Sequence, residues 1–94
     1  MQIQKNLSDL GERLSKAKED LRIVEEQLLY QMDVLEDAKT RMLVSETPIA
    51  DREFQIARAD YERLERERDR VTGEIAELQQ EQDRLLDRML GSRA

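Results

Sequence analysis

Apolar residues recur at alternating intervals of three and four along nearly the whole chain. This spacing averages 3.5 residues, so it keeps one apolar stripe on the same side of an α-helix and is typical of coiled coils. Two such stripes, together called the seam, are separated by a break in phase. The first comprises Ile3, Leu7, Leu10, Leu14, Ala17, Leu21, Val24, Leu28, Gln31, Leu35, Ala38 and Met42. The second comprises Ala50, Phe54, Ala57, Tyr61, Leu64, Arg68, Val71, Ile75, Leu78, Gln82, Leu85 and Met89.

The break in phase falls at a turn signal, Ser45-Glu46-Thr47-Pro48. Thr47 is a good N-cap, and Pro48 suits the first helical position, where its missing N–H would have no helical partner anyway. A helix that continued through Pro48 would lose about 3 kcal/mol. The sequence therefore predicts a single helical hairpin over residues 1–94. Its predicted parts are a first helix over about 2–44, a turn over about 45–47 and a second helix over about 48–90.

Folded back at this turn, the two stripes fill every layer of an antiparallel coiled coil. The layers run from Met42 with Ala50 out to Ile3 with Met89. Large residues face small ones where alanine occurs, which keeps the interhelical spacing constant at native packing density. The predicted fold class is all-α, two long helices in an antiparallel coiled-coil hairpin that dimerises into a four-helix bundle. Two chains that exchanged helices would form the same layers. The Thr47-Pro48 signal favours the hairpin over this swapped dimer.

Two polar seam residues and four flanking charge pairs test this register. We expect Gln31 to reach the Tyr61 hydroxyl, and Arg68 to lay its stem across Val24 with its guanidinium in solvent. Unlike charges flank the seam near the turn, but like charges do so farther away, where neighbouring arginines or a second molecule must screen them. The unlike pairs are Arg41–Glu53 and Lys39–Asp51, and the like pairs are Asp20–Glu74 and Glu25–Glu65.

Composition argues against several classes of function. The chain has no cysteine and no histidine, so thiol chemistry, histidine triads and His/Cys metal sites are absent. We therefore expect no enzyme, no metal and no cofactor. The net charge of −6 repels phosphates, so nucleic acid is not an expected partner. No apolar run approaches a membrane span. We expect a cytoplasmic protein that binds neither membranes nor nucleic acid.

An apolar patch outside the seam is the main functional signal. Its members share one flank of the hairpin near the turn, and soluble monomers seldom expose a contiguous patch without a use. The patch predicts a homodimer interface, with a different protein or no partner as the alternatives. The resulting function is a non-enzymatic scaffold or adaptor that binds itself and another protein. This isoleucine face comprises Ile23, Tyr30, Val34, Val44, Ile49 and Ile56.

Acidic residues at the turn support an alternative function. The motif Glu53-Phe54 followed by Ala57-Arg58 is similar to the E-Y-x-x-A-R that follows an acidic turn in bacterial transcript-cleavage factors, over about six residues. That resemblance implies an RNA polymerase secondary-channel regulator, whose carboxylates contribute a Mg²⁺ ligand inside the partner's active site. The preferred explanation of Asp51 and Glu53 is structural, because the start of the second helix stabilises negative charge and Lys39 and Arg41 can pair with them. The turn acids are Glu46, Asp51 and Glu53.

Overall fold

The computed structural model describes residues 2–91, and all but two of these lie in α-helices. Helix α1 spans Gln2–Ser45 and helix α2 spans Pro48–Gly91. The two helices pack against each other, which confirms the all-helical class predicted from the 3.5-residue period. No strand is present between residues 2 and 91.

Helix α2 begins at the residues that the turn signal predicts. The Ala50 backbone N–H donates to Thr47 Oγ1 at 3.2 Å, and the Asp51 N–H donates to the Thr47 carbonyl oxygen at 3.0 Å. The first of these bonds satisfies a donor that has no partner within the helix. Pro48 is the first helical residue, where it removes no helical hydrogen bond. Thr47 therefore caps α2.

Helix α1 is followed by a residue with a left-handed backbone conformation, which no sequence pattern predicts. Glu46 has φ of 50°, and its N–H donates to the Met42 carbonyl oxygen at 3.2 Å. This single bond is the αL type of helix C-cap, which glycine most often provides because a Cβ is disfavoured there. Glu46 therefore reverses the chain at a cost that a glycine would avoid.

Tertiary contacts divide the chain into two compact units. The terminal unit comprises Met1–Leu21 and Arg70–Ala94, and the turn unit comprises Arg22–Asp69. Each unit thus contains one segment from each helix. Both segments of a unit contribute to its own buried core.

The terminal unit buries a leucine-rich cluster. Leucine side chains from both helices meet around Ala17, which is 2% exposed. Val71 is more deeply buried still, at 1%. Burying a leucine or valine contributes roughly 1.5–3 kcal/mol. The cluster consists of Leu10, Leu14, Ala17 and Leu78, with the half-buried Ile75 and Leu85 packed against it.

The turn unit buries smaller side chains. Its core contains three alanines, Ala38, Ala50 and Ala57, together with Val24 and Leu28.

The predicted partner of Gln31 is wrong. Gln31 Nε2 donates to the Ala57 carbonyl oxygen at 3.3 Å, whereas we expected a bond to the Tyr61 hydroxyl. A carbonyl oxygen that already accepts a helical hydrogen bond keeps a second lone pair. The methyl side chain of Ala57 leaves that oxygen open to the neighbouring helix.

Burial follows the seam in both units. Every one of the 24 seam positions is buried or half-buried, and every fully buried residue among 2–91 belongs to the seam. Arg68 is half-buried, as its seam position requires, and its guanidinium bonds Asp69 Oδ1 at 3.2 and 3.3 Å. No charged residue between 2 and 91 is fully buried. The seam therefore accounts for the apolar core.

Of the two unlike charge pairs beside the seam, one forms. Arg41 Nε lies 3.6 Å from Glu53 Oε2, which confirms that pair. Lys39 and Asp51 form no ion pair within the described range. Both side chains are exposed, so solvation competes well with pairing.

The like-charge pair Asp20–Glu74 is screened from within its own helices. Lys16 lies 3.2 Å from Asp20, and Arg70 lies 3.5 Å from Glu74. Each cation is four residues from its carboxylate, the spacing that brings side chains together on a helix. The other like pair differs, because neither Glu25 nor Glu65 has an ion-pair partner among residues 2–91.

Candidate protein-interaction surface

The isoleucine face lies entirely within the turn unit. Val44, Ile49 and Tyr30 are 80%, 73% and 72% exposed. Ile56 and Ile23 are exposed at 53% and 41%, and Val34 is half-buried. These residues are off the seam, so the packing of α1 on α2 leaves four of the six more than half exposed.

A groove of about 550 Å³ runs beside part of this face. It brings Ile23 and Tyr30 together over the half-buried Leu64 of the opposite helix. Val34, Val44, Ile49 and Ile56 lie outside it. The groove is lined by Ile23, Glu26, Gln27, Tyr30, Gln31, Arg63 and Leu64.

Both charged residues that line this groove are paired within the chain. Arg63 Nη2 lies 3.8 Å from Asp60 Oδ1, and Glu26 Oε1 lies 2.6 Å from Arg22 Nη1. Such exposed pairs stabilise a helix by only a few tenths of a kcal/mol. Because these two charges are already paired, a partner that covers the groove does not have to supply counter-charges for them.

A second groove, which the sequence did not predict, lies elsewhere on the turn unit. Leu29 is 68% exposed and Met32 is 46% exposed, and both border a cleft of about 250 Å³. Buried Leu28 and half-buried Tyr61 supply the rest of its apolar lining. We call it the methionine groove. It is lined by Glu25, Leu28, Leu29, Met32, Tyr61 and Arg68.

A signal for the methionine groove was present in the sequence. Leu29 and Met32 are apolar, lie outside the seam and are separated by three residues, so they share one side of α1. They fall on the other side of the seam from Ile23 and Tyr30, because Leu28 and Gln31 lie between the two sets on the helix surface. The isoleucine face therefore has a counterpart on the other flank.

The turn acids are exposed and do not form a cluster. Glu46 lies between the helices with its left-handed backbone, Asp51 lies in the first turn of α2, and Glu53 pairs with Arg41. Within residues 2–91, no three acidic, histidine or cysteine side chains are placed to hold a metal ion. The structure thus places Asp51 in the first turn of α2 and pairs Glu53 with Arg41 of α1.

Neither helix, over its described residues, contains a stretch long and apolar enough to cross a membrane. Comparison with protein-family models, with curated proteins and with solved structures found no significant match. Function is therefore argued from the surfaces described above.

Proposed function

We propose that this chain is a non-enzymatic scaffold or adaptor, an antiparallel coiled-coil hairpin that self-associates through the isoleucine face into a four-helix bundle. The observation that carries the proposal is the uneven distribution of exposed apolar side chains. Among residues 2–91, eight of the ten exposed large hydrophobics lie in the turn unit, and five of those eight belong to the isoleucine face.

Energetics support an apolar contact at this face. Removing apolar surface from water contributes about 25 cal/mol per Å². Tyr30, Ile49 and Ile56, each more than half exposed, offer a dimer several kcal/mol in total on that basis. A helix face whose members recur at heptad spacing, as Ile23 and Tyr30 do on α1 and Ile49 and Ile56 do on α2, suits another helix as the covering element.

Charge pairing also supports a second copy as the occupant. The two charged residues that line the groove beside this face, Glu26 and Arg63, each have a counter-charge within the same chain, so a second copy that covers this groove does not leave them with uncompensated charge. Buried uncompensated charge is what most strongly opposes association.

Light scattering on the purified chain tests the proposal. We expect a mass twice that of the 11.1 kDa chain at tens of micromolar protein. The double variant Tyr30→Glu/Ile56→Glu is expected to be monomeric with unchanged helicity by circular dichroism. Both positions are more than half exposed in the single chain, so neither substitution should disturb its core. Tyr30→Glu/Val34→Glu is a second pair on the same face, in which Tyr30 is exposed and Val34 is half-buried.

The control is Leu90→Glu, which places a carboxylate on an exposed apolar residue of the terminal unit and should leave the dimer intact. A monomeric wild-type chain overturns the proposal. A Tyr30→Glu/Ile56→Glu variant that unfolds would show instead that this face belongs to the core.

A further inference from the structure

The methionine groove and the isoleucine face use separate residues. No residue that lines the cleft of about 250 Å³ also lines the groove beside Ile23 and Tyr30. Both grooves lie within the turn unit. Self-association through the isoleucine face therefore leaves the methionine groove without an occupant.

The apolar part of the methionine groove fits a helix. Leu29 and Met32 stand exposed above buried Leu28, and Tyr61 closes the cleft from α2. Side chains separated by three residues on one helix form a groove into which apolar residues of another helix can insert. Methionine is unbranched and flexible, so it adjusts to the shape of what it contacts.

The rim of the groove carries unpaired negative charge. Glu25 lines the cleft, and half-buried Glu65 lies one turn from both Tyr61 and Arg68 on α2. Neither carboxylate has an ion-pair partner among residues 2–91, and the nearby cation, Arg68, is bonded to Asp69. This differs from the groove beside Ile23 and Tyr30, where the two charged lining residues, Glu26 and Arg63, each have a counter-charge within the chain.

A second copy is a poor occupant of this groove. In a symmetric contact it would bring its own Glu25 and Glu65, which have no ion-pair partner among residues 2–91, against the same residues of the first chain. A helix with Lys or Arg beside its apolar stripe would instead supply the counter-charges that Glu25 and Glu65 lack.

We propose that the methionine groove is a docking site for a basic amphipathic helix of another protein, with leucine- or methionine-sized anchors flanked by Lys or Arg. The groove gives the adaptor a second contact. It does not depend on the chain forming a dimer.

Three synthetic peptides, each of about 21 residues or roughly six helical turns, serve as probes. The first is an amphipathic helix with a leucine stripe flanked by lysines. The second has glutamate at every lysine position, and the third has the composition of the first in scrambled order. Fluorescence anisotropy with the full chain is expected to show saturable binding of the first peptide. Binding of the other two should be at least tenfold weaker. Raising the salt from about 0.05 to 0.15 M should weaken the first peptide's binding, since rim charges are screened.

Substitutions on the chain locate the site. Met32→Glu is expected to weaken binding of the lysine peptide at least tenfold. Glu25→Lys with Glu65→Lys should reverse the preference, so that the glutamate peptide binds more tightly than the lysine peptide. Ile56→Glu, on the isoleucine face, is the matched control and should leave peptide affinity unchanged whether or not it dissociates the dimer. Circular dichroism verifies that each variant remains helical.

Four results overturn the proposal: no saturable binding of the lysine peptide, equal binding of the scrambled peptide, no effect of Met32→Glu, or no reversal by the double charge change. A change of mass on Met32→Glu with no peptide binding would assign the groove to self-association instead. Failure of the dimer alone leaves the peptide result standing, because the two experiments alter different residues.

Discussion

The terminal unit and the turn unit share one packing rule and differ in what surrounds it. In both, the seam residues are buried or half-buried. The terminal unit buries leucines, and the exposed large apolar residues in its described part are Leu86 and Leu90. The turn unit buries more alanine and exposes eight large apolar side chains. Since the seam is continuous in both units, folding does not explain the additional apolar residues of the turn unit. We propose that contact with other chains does.

Truncating a buried leucine should have the largest effect on stability. Leu78→Ala, at a site 3% exposed, is expected to lower the free energy of unfolding by about 3 kcal/mol, from lost burial and the cavity left behind. Urea denaturation measures this change. The loss should be the same at every protein concentration.

Tyr30→Ala in the turn unit is the matched comparison. Because Tyr30 is 72% exposed, its truncation should cost under about 0.5 kcal/mol in dilute solution and more as protein concentration rises, since dimerisation stabilises the folded chain by mass action. A loss that is large and independent of concentration would mean that Tyr30 belongs to the core, and the contrast between the units would fail.

Enlarging a buried alanine tests whether small residues set the helix spacing near the turn. Ala38 is 1% exposed, so the larger side chain of Ala38→Leu forces neighbouring side chains or backbone apart. We expect this substitution to lower the free energy of unfolding by about 2 kcal/mol. Ala59→Leu, at an exposed position of α2, is the control and should be nearly neutral. Equal thermal stabilities of the two variants would show that the core around Ala38 is loose.

Loss of the N-cap of α2 should have a smaller effect. Thr47→Ala removes the oxygen that accepts a hydrogen bond from the Ala50 N–H at 3.2 Å. It is expected to lower the free energy of unfolding by about 1 kcal/mol. Thr47→Ser keeps that oxygen and should retain most of the stability. If Ala and Ser prove equivalent in urea denaturation, the hydrogen bond contributes nothing and Pro48 alone starts the helix.

Gly73→Ala in the terminal unit is expected to raise the free energy of unfolding by just under 1 kcal/mol. Gly73 is exposed within α2, and a Cβ there meets nothing within 4 Å, so alanine adds helix propensity without a clash. The reverse change at the nearby exposed Ala76, Ala76→Gly, should cost a similar amount. Midpoints of thermal unfolding that move in the same direction for both would contradict this account.

The sequence predicted those features that a repeating pattern determines. A 3.5-residue period places the same side chains on one side of a helix, so two packed helices and the burial of residues such as Leu14 and Val71 followed from it. The start of α2 followed from Thr47 and Pro48, which restrict the backbone locally. The pattern did not predict which hydrogen-bond or ion-pair partner a side chain chooses when several partners are nearly equal in energy. Gln31 bonds a backbone oxygen rather than the Tyr61 hydroxyl, and Lys39 forms no ion pair with Asp51 in the described range.

The candidate site was predicted only on one flank. Ile23, Tyr30 and Ile56 were recognised because they are apolar, lie outside the seam and share one flank of the hairpin. The methionine groove was missed, since its cleft forms only where Leu29 and Met32 meet Tyr61 from the other helix. Its unpaired rim acids also depend on which cations find other partners, as Arg68 does with Asp69. Such pairings are decided by side-chain conformations that no residue pattern specifies.

The left-handed backbone of Glu46, with φ of 50°, bears on whether a helix packs on its own chain or on a neighbour's. A residue with a Cβ in that conformation destabilises the chain by roughly 1–2 kcal/mol. A chain that opens at this residue and exchanges helices with a second molecule does not need the left-handed conformation and so avoids this destabilisation. Glycine at position 46 would favour the closed molecule, and a β-branched residue would favour exchange. One torsion angle thereby biases the choice between intramolecular and domain-swapped assembly.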